Sequence, residues 1–204
     1  MIEVITHSCI RITEGGTVIY ADPFKMPDDP RDGDIILITH DHFDHFSPED
    51  INKAAKSGAV IAAPEKMAKK AADETGMSVT PVKPGGTYEI SGLPVETVPA
   101  YNILKPFHPK SAGWVGYIVT VGGRRIYIAG DTDVTLESKK VKCDVAMLPV
   151  GGKYTMTAKE AAALTDIIKP AEAIPTHYGT VVGSADDGKL FASLVGSQTA
   201  VTFG

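Results

Sequence analysis

The sequence predicts a mixed α/β (α+β) fold, a four-layer αββα sandwich built from two similar halves. Three observations carry that reading. Each half opens on short strand-like runs and then alternates strand with helix, a grammar that sets two sheets face to face with helices outside. The 204 residues are 43% hydrophobic and 22% charged, globular proportions that suit one domain spanning 1–204 with a well-buried core. Neither a low-complexity segment nor an exact repeat interrupts the chain.

In the first half, "IEVI", "CIRIT", "TVIYA" and "IILI" read as strands, and "EGG" at 14–16 as a hairpin turn. Residues 21–34, rich in Pro, Asp and Gly, form a loop. Ser47 and Pro48 have the chemistry of a helix N-cap and first turn, which predicts a helix over "PEDINKAAKSG". "AVIAA" is a small strand, "PEKMAKKAADETG" a helix closed by Gly76, and "TYEI" and "PVETVPA" are strands. In the second half, "GWVGYIVTVGG" and "RRIYIAG" pair through Gly122-Gly123, and "CDVAMLPV" is a buried strand. Thr157 and Glu160 have capping-box spacing for "TAKEAAALTDIIK", which Pro170 stops. "AEAIPTHYG" runs from a strand into a polar loop, "DGKLFASLVG" is the final helix and "TAVTF" the final strand.

Four of these strands stop at side chains of metal-binding type. After "DIILI" comes "THDHFDH", with His40, His42, Asp44 and His45; after "RRIYIA" come Gly130, Asp131 and Thr132; after "AEAIP" comes His177; after "LPVETVPA" come Asn102 and His108. Polar groups at neighbouring strand ends meet on one sheet edge, so four loops can build one pocket. Histidines at i and i+2 of an extended turn point to one side and can grip one cation through imidazole nitrogen. Asp44 and His45 can face a second cation, with Asp131 as the candidate bridge. Two divalent ions roughly 3.5–4 Å apart share a water and bring its pKa toward neutrality. A nitrogen and oxygen donor set without cysteine favours zinc, with manganese or iron as alternatives, over a structural zinc cage.

The remaining composition narrows the function. The net charge of −5 does not suit a groove that tracks phosphates, so no nucleic-acid partner is expected. Cys9 and Cys143 sit in apolar stretches and read as small buried hydrophobes. "MIEVITHSCIRI" alternates and carries charge, unlike a signal peptide, and no apolar run approaches the roughly 20 residues of a membrane span. These features predict a cytoplasmic protein acting on a small-molecule substrate; they leave the oligomeric state open.

The motifs resemble those of the metallo-β-lactamase-fold hydrolases. The H-x-H-x-D-H signature stands as His40-Asp41-His42-Phe43-Asp44-His45, "AGDTD" matches the bridging aspartate and "PTHYG" the last histidine. The likeness runs from "THSCIRI" to the last strand. The early "HS", the "DPF" and "LPVGGKYTM" look most like the compact branch holding ascorbate-6-phosphate lactonase and the N-acylphosphatidylethanolamine phospholipase D-type hydrolases. The resemblance implies that His40 and His42 hold a first metal, that Asp44, His45 and His177 hold a second, that Asp131 bridges them, and that Asp22 supports the ligands from behind. It also implies hydrolysis of an ester, lactone or phosphodiester of a small, anionic substrate by a metal-bound hydroxide, with Asp44 orienting the nucleophile or taking up a proton. The family pattern expects a further histidine soon after the "VETVPA" strand, where this chain has Ala100-Tyr101-Asn102. His108, reached through a longer loop, is the favoured replacement; Asn102 as an oxygen ligand, or no ligand at all, competes.

Other residues carry weaker signals. His7 is either an ordinary edge-strand histidine or a group touching substrate or ligands. Asp41 reads as a solvated spacer. The amides of "GGKYTM", with Lys153 and Tyr154, could meet an anionic oxygen, although a glycine turn leading into a capped helix explains them equally. Phe107 and Trp114 could line the pocket mouth or simply pack, and Lys105 and Lys110 could attract an anion or stay solvated. A secreted β-lactamase lacks its signal peptide here, a nuclease with an inserted domain would be longer, and a glyoxalase II-type thioesterase would need a helical region after His177. Outside enzymes, the alternative is a metal-binding or ligand-sensing protein of the same fold with little turnover.

Overall fold

The computed structural model describes residues 1–204. Its strands are β1 (Ile2–Thr6), β2 (Cys9–Glu14), β3 (Thr17–Ala21), β4 (Gly33–Leu37), β5 (Ala55–Pro64), β6 (Ser78–Val82), β7 (Thr87–Ile90), β8 (Leu93–Pro99), β9 (Val115–Val121), β10 (Arg124–Ile128), β11 (Val145–Pro149), β12 (Glu172–Thr176) and β13 (Ala200–Val201). The helices are α1 (Pro48–Ala54), α2 (Glu65–Thr75), α3 (Ala158–Ile168) and α4 (Ala185–Leu194). One sheet runs β1-β2-β3-β4-β5-β6, the other β13-β12-β11-β10-β9-β8-β7. In each half an antiparallel meander passes into parallel strands, the passage falling at β3–β4 and β10–β11.

Alternating side chains divide three apolar layers. Ile35 and Leu37 of β4 join Ile126 and Ile128 of β10 and Val145 and Met147 of β11 between the sheets. The intervening Ile36 points to the outer layer under α1 and α2, while Tyr127, Ala146 and Leu148 pack under α3 and α4. Each sheet therefore buries both faces, as the two-fold strand period requires. The predicted αββα sandwich is the observed one.

Local chemistry explains most boundaries. The Gly15-Gly16 and Gly122-Gly123 pairs both have positive φ, as two-residue hairpins demand. Ser47 caps α1 by accepting from the Asp50 amide, and Thr157–Glu160 form a reciprocal capping box on α3. Two expectations fail. The helix predicted through Gly58 ends at Ala54, and β5 begins at once because Ala55 pairs with Gly33 of β4. Strand β6 was not predicted; Pro81 argues against a strand, and the sheet tolerates it because β6 is an edge.

Strand direction places the functional loops. Strands β1, β3 and β4 point the same way in the first sheet, and β8, β10, β11 and β12 do so in the second. Their carboxyl ends carry His7, Asp22, His40, Asn102, Asp131, Gly151 and His177. Ligands in α/β sheets bind outside the carboxyl ends of strands, and here two sheets contribute.

Candidate metal centre

Three sets of donors lie within 4.8 Å of one another: His40, His42 and His108; His7, Asp44, His45 and His177; and His40, His45 and Asp131. Residues separated by most of the chain thus meet in one cluster, almost wholly buried apart from the half-buried His42. Asp131 lies between the first two sets. Its Oδ2 is 3.2 Å from His108 Nε2 on one side and 3.2 Å from His177 Nε2 on the other, and its Oδ1 is 3.3 Å from His45 Nε2.

Hydrogen bonds behind the rings fix which nitrogen faces inward. Asp22 accepts from the Thr39 amide at 2.8 Å and the Thr39 hydroxyl at 2.6 Å, and its Oδ2 meets His45 Nδ1 at 2.7 Å. Thr39 Oγ1 also meets His40 Nδ1 at 2.9 Å. Asn102 Oδ1 meets His108 Nδ1 at 2.9 Å. With Nδ1 engaged outward, the Nε2 atoms of His45 and His108 are left for the centre, the arrangement that carboxylate and amide supports give metal-bound histidines, while His40 Nε2 meets His42 Nδ1 at 3.2 Å. His7 Nε2 lies 3.2 Å from Asp44 Oδ2, and its Nδ1 reaches Thr180 Oγ1 at 3.1 Å.

The donor set fits a cation by its own bonding. His45 Nε2, His108 Nε2, His177 Nε2 and Asp131 Oδ1 are buried and lack any hydrogen-bond partner. Buried polar atoms rarely go unpaired, and cations bound among them would satisfy all four. Burial pulls His40 and His42 below the usual histidine range, reinforced by neighbouring His45 and His108 respectively, which keeps both rings neutral and able to donate. Burial opposes ionisation of Asp131, yet facing His177 and His45 hold its carboxyl well below the usual range. Burial also opposes charge on His45, but Asp131 and Asp22 outweigh it and raise its pKa.

Asn102 Oδ1 is engaged by the His108 ring, and it is His108 that lies with His40 and His42. Trp114 packs behind His40, His42 and His108, at centroid distances of 5.0, 4.9 and 5.5 Å. Asp41 is exposed. Tyr154 lines the cleft over the donors, whereas Lys153 is exposed with its Nζ 4.9 Å from the Tyr154 ring centre. The amides of Gly152, Lys153 and Met156 donate to Met156 O, Gly151 O and Thr132 O, so "GGKYTM" is a turn into a capped helix and offers no oxyanion cradle from those groups. Lys105 is held by Asp133 and the Thr155 carbonyl, and Lys110 by Glu137.

Sequence reasoning missed Thr39, Asp133 and Thr180. Thr39 precedes the first histidine inside the quoted motif, and its proximity was the available signal. Asp133 accepts from the Ile103 amide and Lys105, fixing the loop that carries His108. Thr180 had no sequence signal.

A sheet sandwich that gathers histidines and aspartates at its strand ends is the architecture of the metallo-β-lactamase superfamily, and the chain belongs to it: residues 1–177 match the family described as the beta-lactamase superfamily domain. Within that superfamily it is a UPF0173 metal-dependent hydrolase. The protein of that name from Pyrococcus abyssi is 35% identical over 215 residues, covering 98% of this chain and 94% of that one. Its counterpart from Thermus thermophilus is 33% identical over 207 residues, covering 94% and 90%. A crystal structure from Parabacteroides distasonis superposes with a TM-score of 0.82 at 34% identity, covering 99% of this chain and 91% of the other.

Proposed function

We propose that residues 1–204 form a single hydrolase domain that cleaves an ester, lactone or phosphodiester of a small, anionic substrate with two metal ions. The observation that carries this reading is the pair of donor sets sharing Asp131 on the floor of an open cleft. His40, His42 and His108 would hold one ion, Asp44, His45 and His177 the other, and Asp131 both, with Asp22 and Asn102 orienting the rings. Zinc suits this set best, with manganese or iron as alternatives. When bound, the pair supplies Lewis acidity and a water acidified toward neutrality.

The chain's own groups do the rest. Asp44 accepts a hydrogen bond from the attacking water. Burial opposes its ionisation, but His177 and His7 hold its carboxyl below the usual range, so it orients that water rather than storing its proton. His7 fixes Asp44, and Tyr154 borders the substrate. Exposed Lys153 beside Tyr154 favours a negatively charged ligand at the rim. The early "HS", "DPF" and "LPVGGKYTM" support kinship with the ascorbate-6-phosphate lactonase and phospholipase D-type branch, hence the lactone and phosphodiester chemistry. Cys9 and Cys143 are unpaired thiols and no helix is long and apolar enough to cross a membrane, which supports a cytoplasmic location.

The alternative, a non-catalytic metal binder, drew its support from the Asn102 departure; the grouping of His108 with His40 and His42 favours the hydrolase reading. The test is metal content together with hydrolysis of generic ester, lactone and phosphodiester substrates, before and after His42→Ala and Asp131→Ala. Both variants should lose metal and activity. Unchanged metal content in the two would refute the assignment.

A further inference from the structure

The cleft above the donors has a volume of about 420 Å³, the size of a small-molecule site. Its floor is His42, Asp44, His108, Asp131 and His177; its walls are Phe43, Phe107, Tyr154, Val181 and Val182. No lysine or arginine lines it. The two phenylalanines are costly where they stand, since Phe43 is 69% exposed and Phe107 43%. Single exposed apolar residues are ordinary, but these converge on one charged floor from separate loops.

Three of the loops that bring donors to the cleft, those of His42 and Asp44, of His108 and of His177, bring an apolar neighbour with them. Phe43 sits between His42 and Asp44 and rests edge-on against Phe24, with ring centres 5.9 Å apart. Phe107 precedes His108 and stands perpendicular to Tyr154, with ring centres 4.6 Å apart. Asn102 ties these parts together, since it holds His108 through Oδ1 while its Nδ2 donates to the Tyr154 carbonyl at 3.0 Å. Val181 and Val182 follow His177. The longer loop that supplies the late histidine thus also builds a wall of the cleft.

We propose that the substrate carries a compact apolar group, aryl or branched acyl, directly beside the scissile bond, and that Phe43 and Phe107 select for it. This rests on the hydrolase reading above, and it adds an apolar requirement to the anionic one. In a phosphodiester the charge resides in the reacting group, which would face the floor, and the uncharged remainder would contact the walls. A charge held among the walls would meet phenylalanine and valine rather than a cation, since Lys153 stands outside the lining at the rim.

The test uses charge-matched ligands of the metal-loaded protein: methylphosphonate and phenylphosphonate, measured by calorimetry, with metal content determined on the same samples. Half-covering one ring predicts roughly 10-fold tighter binding of phenylphosphonate. In the Phe43→Ser/Phe107→Ser double variant, whose changes fall on exposed side chains, that ratio should drop below about 3-fold. Equal affinities in the parent protein, a ratio unchanged in the variant, or no binding of either phosphonate at full metal content would each overturn the inference. Failure to take up metal at all would instead overturn the hydrolase reading on which it rests.

Discussion

Asn102→Ala isolates the part of the site that departs from the family pattern. The side chain makes two bonds: Oδ1 to His108 Nδ1 at 2.9 Å and Nδ2 to the Tyr154 carbonyl at 3.0 Å. Each is worth about 0.5–1.5 kcal/mol net, so their loss removes about 1–3 kcal/mol of orientation from the His108 ring and its loop. Truncating a partner that orients a metal ligand costs about 10–100-fold in metal affinity, which at about 1.4 kcal/mol per decade is the same size. On the two-metal proposal, the loss should fall on the ion that His40, His42 and His108 would hold and spare its neighbour. Competition against a chromophoric chelator, titrated through two equivalents of metal, would show one weakened step and one unchanged. Asn102→Asp keeps an acceptor for His108 and loses only the donor to Tyr154, so it should recover part of the affinity. Two binding steps unaltered within about twofold in Asn102→Ala would refute the claim that Asn102 orients His108.

Three further outcomes follow from the same structure. Asp22→Ala deletes the acceptor shared by the Thr39 amide, the Thr39 hydroxyl and His45, and should weaken metal binding by about 10–100-fold with the step involving His45 affected most, as chelator competition would show. Tyr117→Phe removes a buried hydroxyl that donates to Ile38 O at 2.8 Å and Ala62 O at 3.1 Å; urea unfolding should register a loss of about 1–2 kcal/mol, and none would mean that this link to the start of the histidine motif is immaterial. Asp50 accepts from the Lys25 and Met26 amides, Ser47 and Lys53; burial opposes its ionisation, but these donors bring its pKa below the ordinary 3.8. A depressed carboxyl stabilises the fold above pH 3.8 and loses that contribution as pH falls through its folded value, so the gap in urea midpoint between the parent and Asp50→Asn should narrow from pH 5 to pH 3. An equal gap at both pH values would count against it.

What could be read from sequence was local or repetitive. "HDHFDH" was legible because its donors are consecutive, and Asp131 and His177 because each ends an apolar run of the same kind. The role of Asn102 was not legible, since sequence does not show whether residues 102–108 close on themselves. The Asn102 backbone amide donates to the His108 carbonyl at 2.7 Å, and that bond brings the Asn102 side chain against the His108 ring. Lys105 looked like a free cation for the same reason; its partner Asp133 lies 28 residues away across the fold. The overlong first helix has another cause. Ala54, Ala55 and Lys56 have good helix propensity, and only the tertiary pairing of Ala55 with Gly33 overrides it.

Backbone handedness supplies the last link between the sheets and the site. His7, Asp22 and His177 each follow directly on β1, β3 and β12, and each is left-handed, with φ of 53°, 44° and 57°. Gly130, after β10 and immediately before Asp131, is left-handed too at 64°. Such a conformation costs a residue bearing a side chain on the order of 1–2 kcal/mol and persists only where its surroundings impose it. Here they do: the His177 amide donates to the His7 carbonyl at 2.9 Å, and the Asp22 amide to the Leu37 carbonyl at 3.0 Å. A strand continued in its pleat would send successive side chains to opposite faces, into layers already filled by core residues. One left-handed step breaks that alternation and turns the side chain off the end of the strand instead. Histidine and aspartate accept this geometry more readily than most residues, so the same side chains that can hold a cation can also make the turn that aims them at it.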